Sequence, residues 1–362
     1  MRALRFAVAL VLPAAMGVAL WGEGGLTFFP LAFIFVLTPV LDAALGLDTH
    51  NPSPEEEQAE ARRWLYDLWL YGFVGLQLLL FGLTLAQVLG PERTAFEKVG
   101  LTISFGLLAG AGGINVAHEL MHRKQRVPRA VAELLMTMVS YPHFCVEHVL
   151  GHHRHVATPL DPASSRRGEA LYPFWLRTIA GSLSSALHLE GERVVNKGVR
   201  AWSWADRRLR MPVLLGLIYL ALFVAFGPRA VAFFGLQSLV AVLLLETVNY
   251  VEHYGLSRHQ LGDRYQRVLP RHSWNSAHRL TGLYLYNLPR HADHHYLASR
   301  PYPILRHLDD SPQLPAGYAT MMLCAFLPPL WFKIMDPRVD AWNAQVGDPD
   351  DEPLLVAHPR AE

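Results

Sequence analysis

The stretch VGLTISFGLLAGAGGINVAHELMH, residues 99–122, joins two features that decide how this chain folds. Its first nineteen residues, Val99–Ala117, carry no charge and are long enough to form a helix that crosses a membrane. Its last five residues fit the pattern H-E-x-x-H, in which two histidines on one face of a helix bind a metal ion. The stretch therefore predicts a membrane helix that ends in candidate metal ligands.

The rest of the chain repeats the apolar part of this pattern. Hydrophobic residues make up 51% of the sequence and charged residues only 17%, which is unusual for a soluble protein. At about 1.5 Å per residue, the uncharged runs of 16 to 23 residues match a hydrocarbon core of about 30 Å. The predicted membrane-spanning helices cover about residues 5–22, 25–46, 66–90, 97–117, 211–227 and 230–250.

The distribution of basic residues predicts the orientation of these helices. If both termini are cytoplasmic, the external loops hold only Arg93, Lys98 and Arg229, and the other 29 of the 32 Lys and Arg residues are cytoplasmic. The predicted fold is an all-α integral membrane protein with six transmembrane helices and a cytoplasmic, histidine-rich helical cap. We expect residues 1–346 to form one domain in the bacterial inner membrane and residues 347–362 to form a polar tail or linker.

Two further patterns exclude several kinds of site. The two cysteines, Cys145 and Cys324, are not in a C-x-x-C motif, which argues against a disulfide framework, an iron–sulfur cluster or a thiolate zinc site. The glycine-rich stretch GAGG at 110–113 lies inside an apolar run, so we interpret it as close helix packing and not as a dinucleotide loop. The basic residues form no recognisable nucleic-acid-binding module.

Nine of the eighteen histidines stand out, eight of them in three short motifs, and of the nine, His118 directly follows the fourth apolar run and His253 lies just beyond the sixth predicted span. The first box is His118 and His122, the second box is His148, His152 and His153, and the third box is His291, His294 and His295; His253 stands alone after the sixth run. On an α-helix, residues i and i+4 share one face, so each box is expected to direct one such pair at a single point. His153 and His294 are expected to reach a neighbouring point.

This number of histidines indicates two metal ions. A catalytic zinc needs three protein ligands, so an intramembrane zinc peptidase would leave six of the nine histidines unused. Two five-coordinate or six-coordinate ions would use all nine, although imidazole suits zinc, copper, iron and nickel alike. A metal transporter is a further alternative, but its histidines would line a route across the bilayer. Carboxylates and carbonyls usually orient bound histidines, and the candidates for this role are Glu119, Glu147, Glu246, Asn249, Glu252 and Asp293.

Longer motifs around these histidines resemble one known family. They are HELMHR at 118–123, EHVLGHHRHVATPLDPASSRRGE at 147–169, NYVEHYGLSR at 249–258, HSWNS at 272–276 and LPRHADHHYLASRPY at 288–302. The chain resembles the integral-membrane alkane 1-monooxygenases, within the wider group of histidine-box membrane desaturases and hydroxylases. Pro289 and Ala292 depart from the residues usual in that family, without removing a histidine.

The resemblance implies the chemistry. It implies two iron ions ligated by the nine histidines, molecular oxygen as co-substrate, and hydroxylation of n-alkanes at a terminal carbon to primary alcohols. No catalytic side chain beyond the metal ligands is predicted. A fatty-acyl desaturase or hydroxylase of the same group is the nearest alternative. Trp, Phe and Leu residues in spans two to four are candidates for lining the substrate site, namely Phe33, Phe35, Trp69, Phe73, Leu76 and Leu80.

The sequence contains no flavin, haem or thiolate motif to supply electrons, so an external carrier is expected. The resemblance implies rubredoxin, reduced by an NAD(P)H-dependent reductase and either separate or fused beyond residue 362. Because rubredoxins are acidic, cytoplasmic arginines are candidates for docking the carrier. These candidates are Arg154, Arg166, Arg167, Arg258 and Arg290.

Overall fold

The computed structural model describes residues 2–61 and 63–345, and these residues are mainly helical. Six of the described helices are long and apolar enough to cross a membrane, which confirms the predicted number. We call them spans 1 to 6. Their bounds are Arg2–Trp21, Gly24–Leu45, Leu65–Leu89, Ala95–Met121, Arg207–Phe226 and Pro228–His253. The predicted tail, residues 347–362, lies outside the described residues.

Spans 4 and 6 extend further than the hydropathy pattern predicts. Span 4 was expected to end near residue 117 and continues to Met121, and span 6 was expected to end near residue 250 and continues to His253. Both helices therefore carry candidate ligands within their own last turns. The membrane bundle and the histidines form one continuous framework.

Span 4 lies at the centre of the bundle and span 5 at its edge. Of the 18 residues in the most apolar stretch of span 4, 83% are buried, whereas only 11% are buried in the corresponding stretch of span 5. Span 4 begins with a capping box, in which Thr94 and Glu97 exchange side-chain and backbone hydrogen bonds. Span 5 is joined to span 6 by Gly227, whose φ of 77° is accessible to glycine at little cost.

Glycines let the neighbouring helices approach span 4 closely. A Cβ atom on Gly112 would lie 2.1 Å from Cζ of Phe73, and one on Gly110 would lie 3.0 Å from the Cα of Ala241. This agrees with the packing role inferred for the GAGG stretch. The same stretch belongs to a π-helical segment, Ala109–Ile114, which precedes the first box.

The remaining elements lie between and after the spans. Helices cover Pro54–Glu60, Arg126–Met138, Phe144–Glu147, His153–His155, Leu171–Asn196, Arg279–Tyr284, His291–Tyr296, Tyr318–Ala325 and Pro328–Gln345, and a π-helical segment covers His148–His152. Short 3₁₀ turns cover Pro270–His272 and Tyr302–Ile304. Strands Gln260–Leu261 and Arg264–Tyr265 form an antiparallel hairpin. The last two helices, Tyr318–Ala325 and Pro328–Gln345, are together long and apolar enough to cross a membrane, but their axes are bent by 119° relative to each other.

Candidate metal centre

All nine candidate histidines, the eight of the three boxes and His253, come together in the structure in two adjacent clusters. Within each cluster, one nitrogen of every ring lies within 4.8 Å of the corresponding nitrogens of the other rings. The five-histidine cluster contains His118, His122, His148, His153 and His294. The four-histidine cluster contains His152, His253, His291 and His295. The two clusters adjoin, since the ring centroids of His153 and His295 are 4.5 Å apart.

The second box divides its rings differently from our expectation. We expected His148 and His152 to share one point, because they are four residues apart. The structure instead pairs His148 with His153, whose Nε2 atoms are 3.1 Å apart, and places His152 in the other cluster. The reason is that His148–His152 is π-helical, so that residues five apart lie on the same face. The predicted pairing of the second box is therefore wrong.

The first and third boxes follow the α-helical expectation. His118 and His122 both lie in the five-histidine cluster. His291 and His295 share the four-histidine cluster, with 2.9 Å between their Nε2 atoms, and His294 reaches the neighbouring cluster as expected. His253, at the last residue of span 6, adds its Nε2 3.3 Å from that of His291.

The spacing of the ring nitrogens fits metal coordination. Neighbouring Nε2 atoms within the clusters are 2.9 to 3.3 Å apart. A metal–nitrogen bond of about 2.1 Å places two ligand nitrogens at right angles about 3.0 Å apart. Converging lone pairs repel one another unless a cation accepts them, so this donor set suits two metal ions at adjacent points.

Burial keeps most of these rings in the neutral form that binds metal. Burial lowers the pKa of His122 to about 4, and it holds the pKa of His148 and of His153 well below the usual range. His152 differs, because the effect of burial on its pKa is outweighed by the neighbouring Asp161 carboxylate, which raises it. A histidine needs a free nitrogen lone pair to bind a metal ion, so the low pKa values favour coordination at neutral pH.

Asp161 orients one of the rings, and the sequence did not single it out. Its Oδ2 lies 2.9 Å from Nδ1 of His152, the nitrogen that faces away from the cluster. The carboxylate is itself fixed by the Ser164 hydroxyl at 2.6 Å and the Ala163 amide at 3.0 Å. This is the carboxylate–histidine arrangement that fixes the tautomer of a metal ligand. The only signal was its place in the DPASS motif, because no helical spacing relates it to His152.

Of the six residues predicted to orient the histidines, Glu252 is the one found in contact with a ring. Its Oε2 lies 3.2 Å from Nε2 of His291, and its Oε1 accepts a hydrogen bond of 2.7 Å from the Tyr318 hydroxyl. Asp293 instead pairs with Arg306 at 2.7 Å and fixes the backbone that follows the third box.

The other four candidates make polar contacts away from the histidine rings. Glu246 is fully buried and accepts hydrogen bonds from Tyr141, Thr178 and Asn249 at 2.9 to 3.1 Å. Glu119 pairs with Arg123 at 2.8 Å. Glu147 is also buried and accepts a hydrogen bond of 3.5 Å from the Ser185 hydroxyl. The contacts of Glu246 and Glu147 reach the helix Leu171–Asn196, whereas the ion pair of Glu119 stays at the end of its own helix, and none of these described contacts involves an imidazole ring.

A narrow cavity of about 60 Å³ leads to the histidines from within the bundle. Three candidate ligands, His118, His148 and His291, lie at one end. Most of its wall is apolar, and the residues include Ile34, Gly110, Ala111, Ile114, Leu244, Leu245, Val248 and Met322. Gly110 and Leu244 precede the ligands of their own helices by eight and nine residues, so the cavity reaches about 12 Å into the bundle.

The six aromatic and leucine residues expected to line a substrate site do not line this cavity. Phe73 packs against Gly112, and the Trp69 indole donates a hydrogen bond of 2.7 Å to the Ala3 carbonyl. The wall is instead made by small and branched residues of spans 2, 4 and 6, together with residues outside the spans such as Phe144, Tyr284 and Met322. Hydropathy identifies the spans but does not indicate which side of each helix faces the cavity.

The five arginines proposed to dock an electron carrier differ in exposure. Arg154 and Arg166 are exposed. Arg167 is exposed but pairs with Asp340 at 2.6 Å, and Arg258 donates to backbone carbonyls, including that of Arg154 at 2.9 Å. Arg290 is buried and donates to the carbonyl of residue 305 at 2.7 Å, so it belongs to the internal framework and not to an exposed surface.

Fold and site together define a class: helical membrane proteins in which histidine boxes assemble a metal-binding site. A family model described as fatty acid desaturase matches residues 98–325, which include all nine histidines. The chain is 42% identical to alkane 1-monooxygenase 2 of Pseudomonas aeruginosa, with 87% of this chain and 84% of the relative covered. It is 39% identical to alkane 1-monooxygenase of Acinetobacter baylyi, with coverages of 84% and 75%.

A more distant similarity links the chain to the hydroxylase component of xylene/toluene monooxygenase from Pseudomonas putida. The identity is 29%, over 92% of this chain and 88% of the relative. The chain belongs to the fatty acid desaturase family and, within it, to the alkane 1-monooxygenases.

Proposed function

We propose that this protein hydroxylates n-alkanes at a terminal carbon, with molecular oxygen as co-substrate, and releases primary alcohols. The observation that carries the proposal is the apolar cavity that ends at the two histidine clusters. Its relatives named alkane 1-monooxygenases support the same reaction. Each turnover inserts one oxygen atom into a C–H bond and reduces the other to water, which consumes two electrons and two protons.

The composition of the cavity supports an uncharged substrate. No lysine or arginine is among the residues that line it, so a fatty-acyl carboxylate would find no cationic partner there. An n-alkane dissolves in the bilayer and needs only apolar contact. The tight wall of spans 2, 4 and 6 excludes water from around the alkane and directs one end of the alkane to the histidines.

The metals are proposed to be two iron ions. His118, His122, His148, His153 and His294 would hold one, and His152, His253, His291 and His295 would hold the other. Bound there, the irons would supply the activation of dioxygen that a C–H bond requires. The protein's own contribution is to keep most of the imidazoles neutral, to orient His152 through Asp161, and to place the substrate beside both clusters.

Electrons are proposed to come from rubredoxin and an NAD(P)H-dependent reductase. Rubredoxin is either a separate protein or a domain fused beyond residue 362, after the tail at 347–362. The exposed Arg154 and Arg166 are the docking candidates that the contacts favour most. Replacement of both by glutamate should slow reduction by rubredoxin at low salt and weaken its salt dependence. Unchanged rates in the double variant would contradict this docking surface.

We propose that residues 1–346 form one domain of the bacterial inner membrane, with both termini and the metal centre on the cytoplasmic side. The positive-inside count supports this orientation. Single cysteines introduced near Glu92 and Lys124 would test it, since only the first should react with a membrane-impermeant thiol reagent in intact spheroplasts. Labelling of the second position alone would show that the protein has the opposite orientation in the membrane.

The decisive experiment supplies the purified, iron-loaded protein with octane through hexadecane, oxygen and a reduced rubredoxin system. The expected products are 1-alkanols, formed in a one-to-one ratio with oxygen consumed. A 2-alkanol would contradict terminal attack. An alkene, or turnover of fatty-acyl substrates alone, would favour a desaturase or hydroxylase of acyl chains.

A further inference from the structure

The two clusters differ in their number of histidines and in the acids beside them. The five-histidine cluster can supply five ligands from imidazoles alone, whereas the other has four. Glu252, which directly precedes His253, lies beside the smaller cluster and is 1% exposed. This difference in donor number raises the question of what completes the four-histidine cluster.

Glu252 approaches the side of His291 that binds metal. Its Oε2 is 3.2 Å from Nε2 of His291, and the same nitrogen is 3.3 Å from Nε2 of His253 and 2.9 Å from Nε2 of His295. Asp161, by contrast, contacts His152 through Nδ1, on the outer side of the ring. Among the residues that the structure describes, Glu252 is the acid in contact with a cluster-facing nitrogen.

We propose that Glu252 is the carboxylate donor that completes the four-histidine cluster, an inference that rests on the proposed two-iron function. Carboxylate oxygen combined with imidazole is a frequent ligand set for non-haem iron. The Tyr318 hydroxyl, 2.7 Å from Oε1, leaves Oε2 as the oxygen that points toward His291. Tyr318 is thus a positioning residue for the donor.

This assignment makes the two metal positions chemically unequal. One would be surrounded by neutral imidazoles, and the other would also carry an anionic ligand, which stabilises the higher oxidation state of iron. Glu252 and Tyr318 both line the substrate cavity, together with His291 of the same cluster and with His118 and His148 of the five-histidine cluster, so both metal positions adjoin the alkane. Glu252 and Tyr318 would therefore both line the cavity and make the two iron positions chemically different.

The test compares Mössbauer spectra and iron content of the ferrous protein, loaded with isotopically enriched iron, for wild type and Glu252→Gln. We expect two doublets of equal area in the wild type. Glu252→Gln should change or remove one doublet and leave the other, and Tyr318→Phe should shift the same doublet less. Glu246→Gln is the matched control, because Glu246 lies on the same helix, is fully buried and has its described hydrogen bonds with Tyr141, Thr178 and Asn249, not with an imidazole ring.

Two unchanged doublets in Glu252→Gln, or equal losses in Glu252→Gln and Glu246→Gln, would overturn the proposal. If Glu252→Gln loses both irons, Glu252→Ala with added formate decides, since a free carboxylate should restore the iron only if a carboxylate donor was missing. Failure of that rescue also overturns it. A wild-type protein that binds no iron would instead contradict the proposed function itself.

Discussion

The second and third histidine boxes reach the same division of their rings by different helical geometry. The third box, H-x2-HH, is α-helical and pairs His291 with His295, four residues apart. The second box, H-x3-HH, is π-helical and pairs His148 with His153, five residues apart. A π turn holds about one residue more than an α turn. The second box is thus equivalent to the third box with one extra residue, and helix type as well as spacing determines which cluster a histidine joins.

The largest effect should come from removing ligands that the two geometries assign to different clusters. His152→Ala and His153→Ala should each lower activity by about 100-fold or more, since loss of a ligand exceeds loss of an orienting partner. The two variants should differ in which iron they disturb. In Mössbauer spectra, His152→Ala should affect the same doublet as His295→Ala, and His153→Ala the same doublet as His148→Ala. If His152→Ala and His148→Ala disturb the same doublet, the assignment of these two histidines to different clusters is wrong.

The next effect tests whether the π turn can be replaced by an α turn. Deletion of Leu150, which is 38% exposed, converts the second box to H-x2-HH. We expect both irons to be retained and activity to stay within about tenfold of wild type, because the paired rings would then lie four residues apart on an α-helix. Deletion of Ala292 from the third box is the control and should abolish binding of one iron. Loss of iron in the Leu150 deletion would show that the π turn has a role of its own.

A smaller effect distinguishes the acids that accompany the two boxes. Asp161→Asn should weaken metal binding by about 10-fold to 100-fold, because it removes the partner that orients His152. Asp293→Asn should change metal affinity little and lower thermal stability instead, since Asp293 pairs with Arg306 and contacts no ring. Chelator titration and thermal unfolding measure the two quantities separately. Equal changes of metal affinity in both variants would remove this distinction.

The smallest effect concerns packing within the π turn. A Cβ on Gly151 would lie 2.6 Å from Oε1 of Glu147 and 3.0 Å from Cδ1 of Leu189. Gly151→Ala should therefore cost about 1–3 kcal/mol of stability, unless the two side chains shift aside. Gly72→Ala in span 3 is the control, because no atom lies within 4 Å of its Cβ position. Equal melting temperatures for both variants would show that the π turn accommodates a methyl group at residue 151 without strain.

The sequence by itself determined the membrane fold and the identity of the candidate ligands. Hydropathy is a property of each segment alone, so six spans were predicted within a few residues of their observed bounds. The nine histidines were selected by local spacing and by resemblance to a family, and all nine fall within the two clusters. The close packing at residues 110–113 was also predicted, because glycines inside an apolar helix are typical of close contact between helices.

Only the tertiary structure decided how the histidines are divided, which acids touch them and which residues line the cavity. His152 meets His295 across 143 residues of sequence, and Glu252 meets His291 across 39. The π turn directs His152 away from the cluster of His148 and His153, and the buried Arg290 donates to carbonyls distant in sequence. Such contacts arise when separate helices pack together, so no local pattern in the sequence specifies them.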